Sequence, residues 1–462
     1  MRNLVEQVSA ILSRVPDGRP LTGERYHLVG LAGRGMAPLA VAARHLGAQV
    51  SGCDHGGLRH YLDFLHAAGI DPATTHSIRH FAGGATVVAS SVVPAELPEL
   101  VAAAAAGRLW HRTDLLARVL ATRRSLGVSG SHGKGTVAAL AAAALEGAGL
   151  DPLAILGVMV PRYAGATRLG AGPIVAEVDD SDLTVSRVCV DVAVVTNLDH
   201  DHPYLDHRLA DAVQAVGEFV GKARERVLVG PSPRAERLAA HAKVEVWRVG
   251  RELTARTMAV GSGETRLELR APDGVREEAT IRLIGPRSGP NAALAFGAAL
   301  SFGAEPAAAA AGLGTLDRLY QRLEPIVERD GVRIFADYGF KHPVNMRTGL
   351  EALRRHFPRA RIVAVFEPYV GYLAPWGRRY ARALGLAERV VLAPPTGTED
   401  FPDGRPFDPA WYDACPVPVV HADKAEALDA GLAECRPGDV LVLFGRTRTL
   451  AEMTEQALAV PV

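Results

Sequence analysis

Gly127-Val-Ser-Gly-Ser-His-Gly-Lys-Gly-Thr136 decides how this chain of 462 residues is read. The stretch follows an apolar, strand-like lead-in and opens onto an Ala-rich helical run, Val137 to Leu150. Glycines let backbone N–H groups close around an anion, and the first turn of the helix adds its partial positive charge. Lys134 supplies a point charge suited to the terminal phosphates of a nucleotide. Gly130, Ser131, His132, Gly133, Lys134, Gly135 and Thr136 are therefore the candidate cradle for ATP. One position departs from the usual phosphate loop. The residue after the lysine ordinarily carries a hydroxyl for the metal, and here it is Gly135; the nearest hydroxyl is on Thr136.

Outward from this loop, Glu177-Val-Asp-Asp-Ser-Asp182 follows one apolar strand and Thr196-Asn-Leu-Asp-His-Asp-His202 follows the next. Loops at the carboxyl ends of parallel strands form the ligand crevice of an open sheet, so the three segments should meet on one edge. Hard oxygen donors beside a triphosphate suit Mg2+, which takes few protein ligands. An isolated acidic turn would read as a solvated cap, but two of them beside a phosphate loop read as a site. His200, His202 and His207, interleaved with Asp199, Asp201 and Asp206, also raise a zinc reading. That spacing is generic and brings no thiolate, so one histidine beside a magnesium–phosphate cluster is the more economical reading.

The rest of the chain alternates strand and helix patterns, which implies parallel sheets with helices on their faces. Strands are expected at 26–31, 49–52, 86–90, 174–176, 192–196, 226–229, 332–336, 362–366, 390–392 and 440–444, with helices at 37–45, 97–106 and from Asn291. Residues 245–283 read as antiparallel, with turns at Gly261-Ser-Gly263 and Pro272-Asp-Gly274. The expected architecture is α/β in three domains: a Rossmann-like domain over 1–122, a central phosphate-loop ATPase-like domain over 123–320, and a second Rossmann-like domain over 321–462.

Hydrophobic residues make up 48% and charged residues 22%, the profile of a globular protein. Lys+Arg and Asp+Glu are equal at 51, so no global basic field draws nucleic acid or an anionic membrane. Apolar runs are short and interrupted, which argues against a membrane span and a signal peptide. Cys53, Cys189, Cys415 and Cys435 are scattered, which argues for a reducing, cytoplasmic setting and against both a disulfide framework and a cysteine zinc site. Cys53 reads as a small packed residue.

The order of phosphate loop, Glu177 turn and Asn197–His202 turn resembles the Mur ligases, which join an amino acid to a carboxylate using ATP. The resemblance runs nearly end to end. Val29-Gly-Leu-Ala-Gly-Arg-Gly-Met36, Val50-Ser-Gly-Cys-Asp54 and Ser90-Ser91 look like that family's first, UDP-binding domain. It implies that Gly33, Gly35, Met36, Asp54, Ser90 and Ser91 bind the acid substrate. Lys134 would take the γ-phosphate, Glu177 and His202, with Thr136, would hold Mg2+, and Asn291 would face the adenine. Arg322 and Asp337 would close on the nucleotide from the domain junction and the third domain. The implied partners are a small-molecule acid, UDP-linked or otherwise, and an amino acid or amine. The implied chemistry is attack of a carboxylate on the γ-phosphate to give an acyl phosphate, then attack of the amine on the acyl carbon.

Several positions depart from the family pattern: Gly135, Asp180 in place of Glu, Ser288 in place of Asn, Ala32 in place of Gly, and one extra residue in Asp337-Tyr-Gly-Phe-Lys-His-Pro343. Two rival readings follow. A catalytically silent protein could keep the ligase fold after losing a metal ligand. An NAD-dependent oxidoreductase would use Gly30, Gly35 and Asp54 as its fingerprint, but Ala32 breaks that motif and the Lys134 loop is left unexplained.

Overall fold

The structure, a computed structural model, describes residues 20–445 apart from 58, 82–83, 200–207, 262, 286, 339–341, 396–414 and 424–425, and only the backbone of 370–375. The first domain is a parallel sheet of β1 (Arg25–Val29), β2 (Gln49–Cys53), β3 (Thr86–Ala89) and β4 (Leu109–His111), in the order β2-β1-β3-β4. Its strands enter helices Met36–His45, Pro98–Ala105 and Arg112–Leu120. The turn after β1 depends on Gly30 at φ +75°, from which the N–H groups of Gly30 and Leu31 both donate to Cys53 O.

The central domain is built on β5 (Ser125–Ser129), β6 (Leu153–Val160), β7 (Gly165–Arg168), β8 (Ile174–Glu177), β9 (Val192–Val195), β10 (Arg226–Val229) and β11 (Glu245–Arg248). Their order is β11-β10-β9-β5-β8-β6-β7, parallel except for the β6–β7 pair. β5 lies between β8 and β9, so the phosphate loop and both acidic turns leave the same edge side by side. Strands buried on both faces need continuous apolar sequence, and Val192–Val195 and Ile174–Ala176 have it. A separate antiparallel ribbon, β12 (Thr254–Gly261), β13 (Glu264–Arg270) and β14 (Arg276–Ile281), covers the helix Ser288–Ser301.

The third domain carries β15 (Glu324–Arg329), β16 (Val332–Tyr338), β17 (Ile362–Phe366), β18 (Arg389–Leu392), β19 (Val419–His421) and β20 (Val440–Gly445), in the order β15-β16-β20-β17-β18-β19. Only the β15–β16 pair is antiparallel.

Three expectations need correction. Glu245–Arg248 does not open the antiparallel ribbon; it pairs parallel with β10, and Trp247 packs under the Arg226 guanidinium at 3.8 Å. Alternation marks a half-buried strand, and an edge strand of a parallel sheet alternates in the same way. The helix expected from Asn291 starts at Ser288, and the one expected over 137–150 runs Lys134–Gly147. β4, β6, β7, β15 and β19 fall outside every expected strand.

The apolar interiors are not one per domain. A single cluster joins Leu21, Leu39 and Leu120 of the first domain to Ile155, Ala166 and Phe219 of the central sheet. Phe64 lies so close to Gly165 that a Cβ there would meet its ring at 2.3 Å. The third domain keeps its own two clusters, one on each face of its sheet.

Candidate active site

The phosphate loop is held from the neighbouring strand end. Gly130 has φ +116°, and a Cβ there would sit 2.4 Å from Asn197 O, so only glycine fits. Ser131 N donates to Asn197 O (3.1 Å), His132 N donates to Asn197 Oδ1 (3.1 Å), and Asn197 Nδ2 donates to His132 O (2.6 Å). Ser131 Oγ accepts from Asp199 N (2.8 Å), and Thr196 Oγ1 donates to His132 O (2.8 Å). Gly133, at φ +87°, starts the helix Lys134–Gly147 and aims its first N–H groups into the cleft.

Lys134 is buried, and its Nζ donates to Gly130 O and Asp180 Oδ1, both at 2.7 Å. Burial alone would push its ammonium down; Asp180, Asp179 and Glu177 outweigh that and hold it above its ordinary value. Glu177, at the end of β8, behaves in the opposite way. Burial pushes its carboxyl above the usual range despite the pull of Lys134 and Arg322. Its Oε2 accepts from Gly157 N at 3.0 Å.

Gly135 acquires a physical meaning here. A Cβ at Gly135 would lie 2.9 Å from Glu177 Oε2, and one at Gly157 only 2.4 Å from it. The carboxylate therefore occupies room that a side chain at 135 would otherwise share. A buried, hard oxygen donor whose ionisation burial disfavours fits a divalent cation, which would stabilise the charged form. Glu177 thus suits Mg2+ without a hydroxyl at position 135.

One cleft of about 590 Å³ collects most of the candidate residues. Ser131 to Thr136, Glu177, Asn291, Arg322 and Asp337 all line it. A Cβ on Gly133 would lie 3.3 Å from Asn291 Oδ1, so that amide lies against the loop. Arg322 Nη1 donates to Gln321 O and Tyr338 O (both 3.1 Å), and Asp337 Oδ1 accepts from Leu323 N (3.3 Å), tying the third domain to the junction. Asn345 Nδ2 approaches His132 Nδ1 at 3.3 Å, and the His132 and His342 rings stand 5.3 Å apart.

Of the first-domain candidates, Gly35 lines this cleft, whereas Gly33, Met36, Asp54, Ser90 and Ser91 are not among its walls. Gly33 N donates to Gly30 O (3.1 Å), and Met36 is buried. Asp54 Oδ2 accepts from Ala32 N at 2.8 Å, bracing the first turn, and Ser90 O accepts from Val93 N at 3.2 Å. Ser91 Oγ donates to Asp182 Oδ2 at 2.7 Å. His202, with His200 and His207, lies outside the described residues.

Sequence reasoning missed Arg34 and Arg112. Arg112 Nη2 reaches Asp179 Oδ2 (2.6 Å) and Asp182 Oδ2 (3.6 Å), and a Cβ on Gly35 would come within 2.7 Å of its Nη1. Arg34 Nη2 donates to Gln321 Oε1 at 3.2 Å. The cleft thus sets Arg34, Arg112, Lys134 and Arg322 around Glu177 and Asp179, a cationic rim suited to phosphate oxygens over an acidic floor suited to a metal. Arg34 lies inside the glycine-rich Val29–Met36 stretch, where its neighbours Gly33 and Gly35 drew the reading, and Arg112 stands in no recognisable motif.

Residues 25–124 match the Mur ligase family, catalytic domain, residues 128–299 the Mur ligase middle domain, and residues 321–447 the Mur ligase, glutamate ligase domain. The UDP-N-acetylmuramate–L-alanine ligase of Kineococcus radiotolerans is 35% identical over 441 residues, covering 91% of this chain and 93% of that protein. The enzyme of the same name from Gloeobacter violaceus is 34% identical over 476 residues, covering 95% and 97%. The solved UDP-N-acetylmuramate–alanine ligase of Thermotoga maritima shares the fold with a TM-score of 0.76 at 19% identity, over 94% of this chain and 98% of that one. With three family domains in order along its length and relatives matched almost end to end, the chain belongs to the Mur ligase family.

Proposed function

We propose that the protein is an ATP-dependent carboxylate–amine ligase that joins L-alanine to UDP-N-acetylmuramate through an acyl phosphate. The observation that carries this reading is the meeting of Lys134, Glu177, Asn291, Arg322 and Asp337 on one cleft, although they are spread along the chain from the central sheet to the sheet of the third domain. The names of the matched relatives supply the acid and the amine.

Lys134 would exchange Asp180 for a γ-phosphate oxygen, and Arg322 would neutralise charge that builds as the carboxylate oxygen bonds to phosphorus and the bond to ADP breaks. The amine nitrogen then bonds to the acyl carbon, phosphate leaves with the former carboxylate oxygen, and the amine proton passes to solvent. Glu177, Thr136 and His202 would hold Mg2+, which supplies charge neutralisation on the phosphates. No protein nucleophile is needed, because the chemistry rests on positioning. Asn291 would contact the nucleotide and Asp337 would close from the third domain. Gly33, Gly35, Met36, Asp54, Ser90 and Ser91 would shape the acid's seat. Working domain limits are 1–122, 123–320 and 321–462. Among the described residues no helix is long and apolar enough to cross a membrane. A cytoplasmic setting would supply the nucleotide-linked acid and the ATP.

Purified protein mixed with ATP, Mg2+, UDP-N-acetylmuramate and L-alanine should release phosphate only when both substrates are present, with an amide product of the summed mass. ATP binding without turnover under any acid or amine would instead favour the silent ligase fold that Gly135 suggests. NADH binding without ATP affinity would favour the oxidoreductase.

A further inference from the structure

A second cluster of reactive side chains lies in the first domain, away from the cleft. Cys53 ends β2, His27 lies within β1, His76 follows the bridge that pairs Cys53 with Ala73, His80 closes the short turn Ile78–His80, and Glu99 opens the helix Pro98–Ala105. None of these residues lines the 590 Å³ cleft. Two overlapping triads share the thiol. The donor atoms of Cys53, His76 and Glu99 lie within 4.8 Å of one another, and so do those of His27, Cys53 and His80.

Two of the three separations in the Cys53–His76–Glu99 triad are those of a tetrahedral coordination shell, and the third is shorter. Ligand bonds of about 2.0–2.3 Å around a tetrahedral zinc place donor atoms roughly 3.3–3.8 Å apart. Cys53 Sγ lies 3.3 Å from His76 Nδ1 and 3.5 Å from Glu99 Oε1; His76 Nδ1 lies 2.9 Å from that same oxygen. His80 Nδ1 stands 4.0 Å from Glu99 Oε1, and the His27 ring packs against the His80 ring at 4.7 Å.

Hydrogen bonding accounts for only part of this arrangement. Glu99 is fully buried, yet its Oε2 has no hydrogen-bond partner among the described residues. His80 Nδ1 and His27 Nε2 are buried and unpartnered in the same way. Three orphaned polar atoms around one carboxylate are not what a self-satisfied core leaves behind. An apolar wall of Val29, Val87, Leu100 and Ala103 closes one side, while His76 and His80 keep 26% and 18% of their side-chain surface open as an entry path.

We propose that Cys53, His76 and Glu99 form the core of a zinc site in the first domain, with His80, whose Nδ1 stands 4.0 Å from Glu99 Oε1, turning in as the fourth donor and His27 packed against its ring. The donor set of one sulfur, two imidazoles and one carboxylate is borderline-soft and suits a tetrahedral ion without redox chemistry. Binding exchanges the thiol proton for the metal, and that proton leaves to solvent. The scattered cysteines argue against a cysteine zinc site, yet folding brings Cys53 to His76 and His80 from later segments. The ion would clamp the segment after β2 and the helix Pro98–Ala105 onto the strand end next to Asp54, which braces the first turn through Ala32. It would act on the stability of the acid-binding domain and not on phosphoryl transfer.

The test uses the full chain with any affinity tag removed, stripped of metal and titrated with Zn2+ or Co2+ alone. One ion per chain is expected, and the cobalt form should show thiolate-to-metal charge transfer in the near ultraviolet. Cys53→Ser should abolish that band, and Glu99→Gln and His76→Gln should weaken zinc at least tenfold, whereas Lys134→Ala should leave both signals intact. If a variant does not fold, the cobalt spectrum of the wild-type chain decides. Binding of less than a tenth of an ion, or a cobalt spectrum without the thiolate band, overturns the site. So does a band that survives in Cys53→Ser, and an ion held by the His200–His207 segment would lack the band altogether.

Discussion

Lys134 and Asp180 pair at 2.7 Å with both side chains buried, so each neutralises a charge that water cannot reach. Removing the lysine alone leaves a carboxylate stranded. Lys134→Ala should therefore lower stability by about 3–5 kcal/mol, read from urea midpoints, and cut phosphate release by about 10²–10³. Adding Asp180→Ala should restore most of the stability and none of the turnover. Two further acids near the loop, Asp182 and Glu177, titrate in opposite senses. Burial would raise Asp182, but hydrogen bonds from His111, Thr184 and Ser91 and the charge of Arg112 hold it well below the usual range. Its contribution is complete above about pH 4, the unfolded value, and is lost as pH falls. Asp182→Asn should destabilise at pH 7 and flatten the acid limb of a Tm–pH curve. Glu177 is raised by burial, so its contribution is present below about pH 4.3 and is lost as pH rises through the folded value. Glu177→Gln should unfold at higher urea than the wild type at pH 7 while abolishing phosphate release. An unchanged midpoint would show that the charge is already compensated. Lys134 and Glu177 were legible because the chemistry dictates their residue types and their place after a strand. Arg112 was not, since a lone arginine carries no mark of the carboxylates that folding brings to it.

At the scale of elements, the Ala-rich runs are explained by how closely their helices approach. A Cβ on Gly147 would sit 2.6 Å from Gly312 Cα, and one on Gly312 only 2.5 Å from Ala143 O, so helices Lys134–Gly147 and Pro306–Leu313 touch backbone to backbone. Gly312→Val should wedge them apart at a cost of about 1–3 kcal/mol, visible as a fall in Tm, and should disturb the phosphate loop at the far end of the first helix less than the fold itself. Legibility followed period and length. Long apolar strands such as Ile362–Phe366 and Val440–Gly445 announced themselves. Glu324–Arg329 begins with Glu-Pro, holds only Ile326 and Val327 as apolar residues and ends on two charges, and Val419–His421 is only three residues long, so neither stands out. Leu153–Val160 could have been found, because its apolar run is bounded by Pro152 and Pro161.

At the scale of the whole molecule, the junction to the third domain holds two unusual backbone conformations. Gln321 and Leu323 take φ +61° and +42°, left-handed values that non-glycine residues seldom hold without surrounding constraint. Across that junction Asn345 meets His132 of the phosphate loop. Asn345→Ala should raise KM for ATP by about 2–10-fold, the worth of one hydrogen bond, with Tm nearly unchanged. A large loss of Tm instead would make Asn345 part of the scaffold. The number of domains and their order could be read from the alternation of patterns, but not the way their interiors are shared, because apolar sequence does not say which neighbour it will pack against.

That sharing has a consequence for selectivity. Leu21, Leu39 and Leu120 are sealed into the same interior as Ile155 and Phe219, so the walls contributed by the first two domains cannot drift apart. The proposed seats for acid and triphosphate stand at a set separation, filled or empty. The pair then works as a gauge: an acid whose carboxylate falls an ångström short of the phosphorus finds no give in the wall to make up the difference, and discrimination by reach is written into the packing before any side chain touches the substrate.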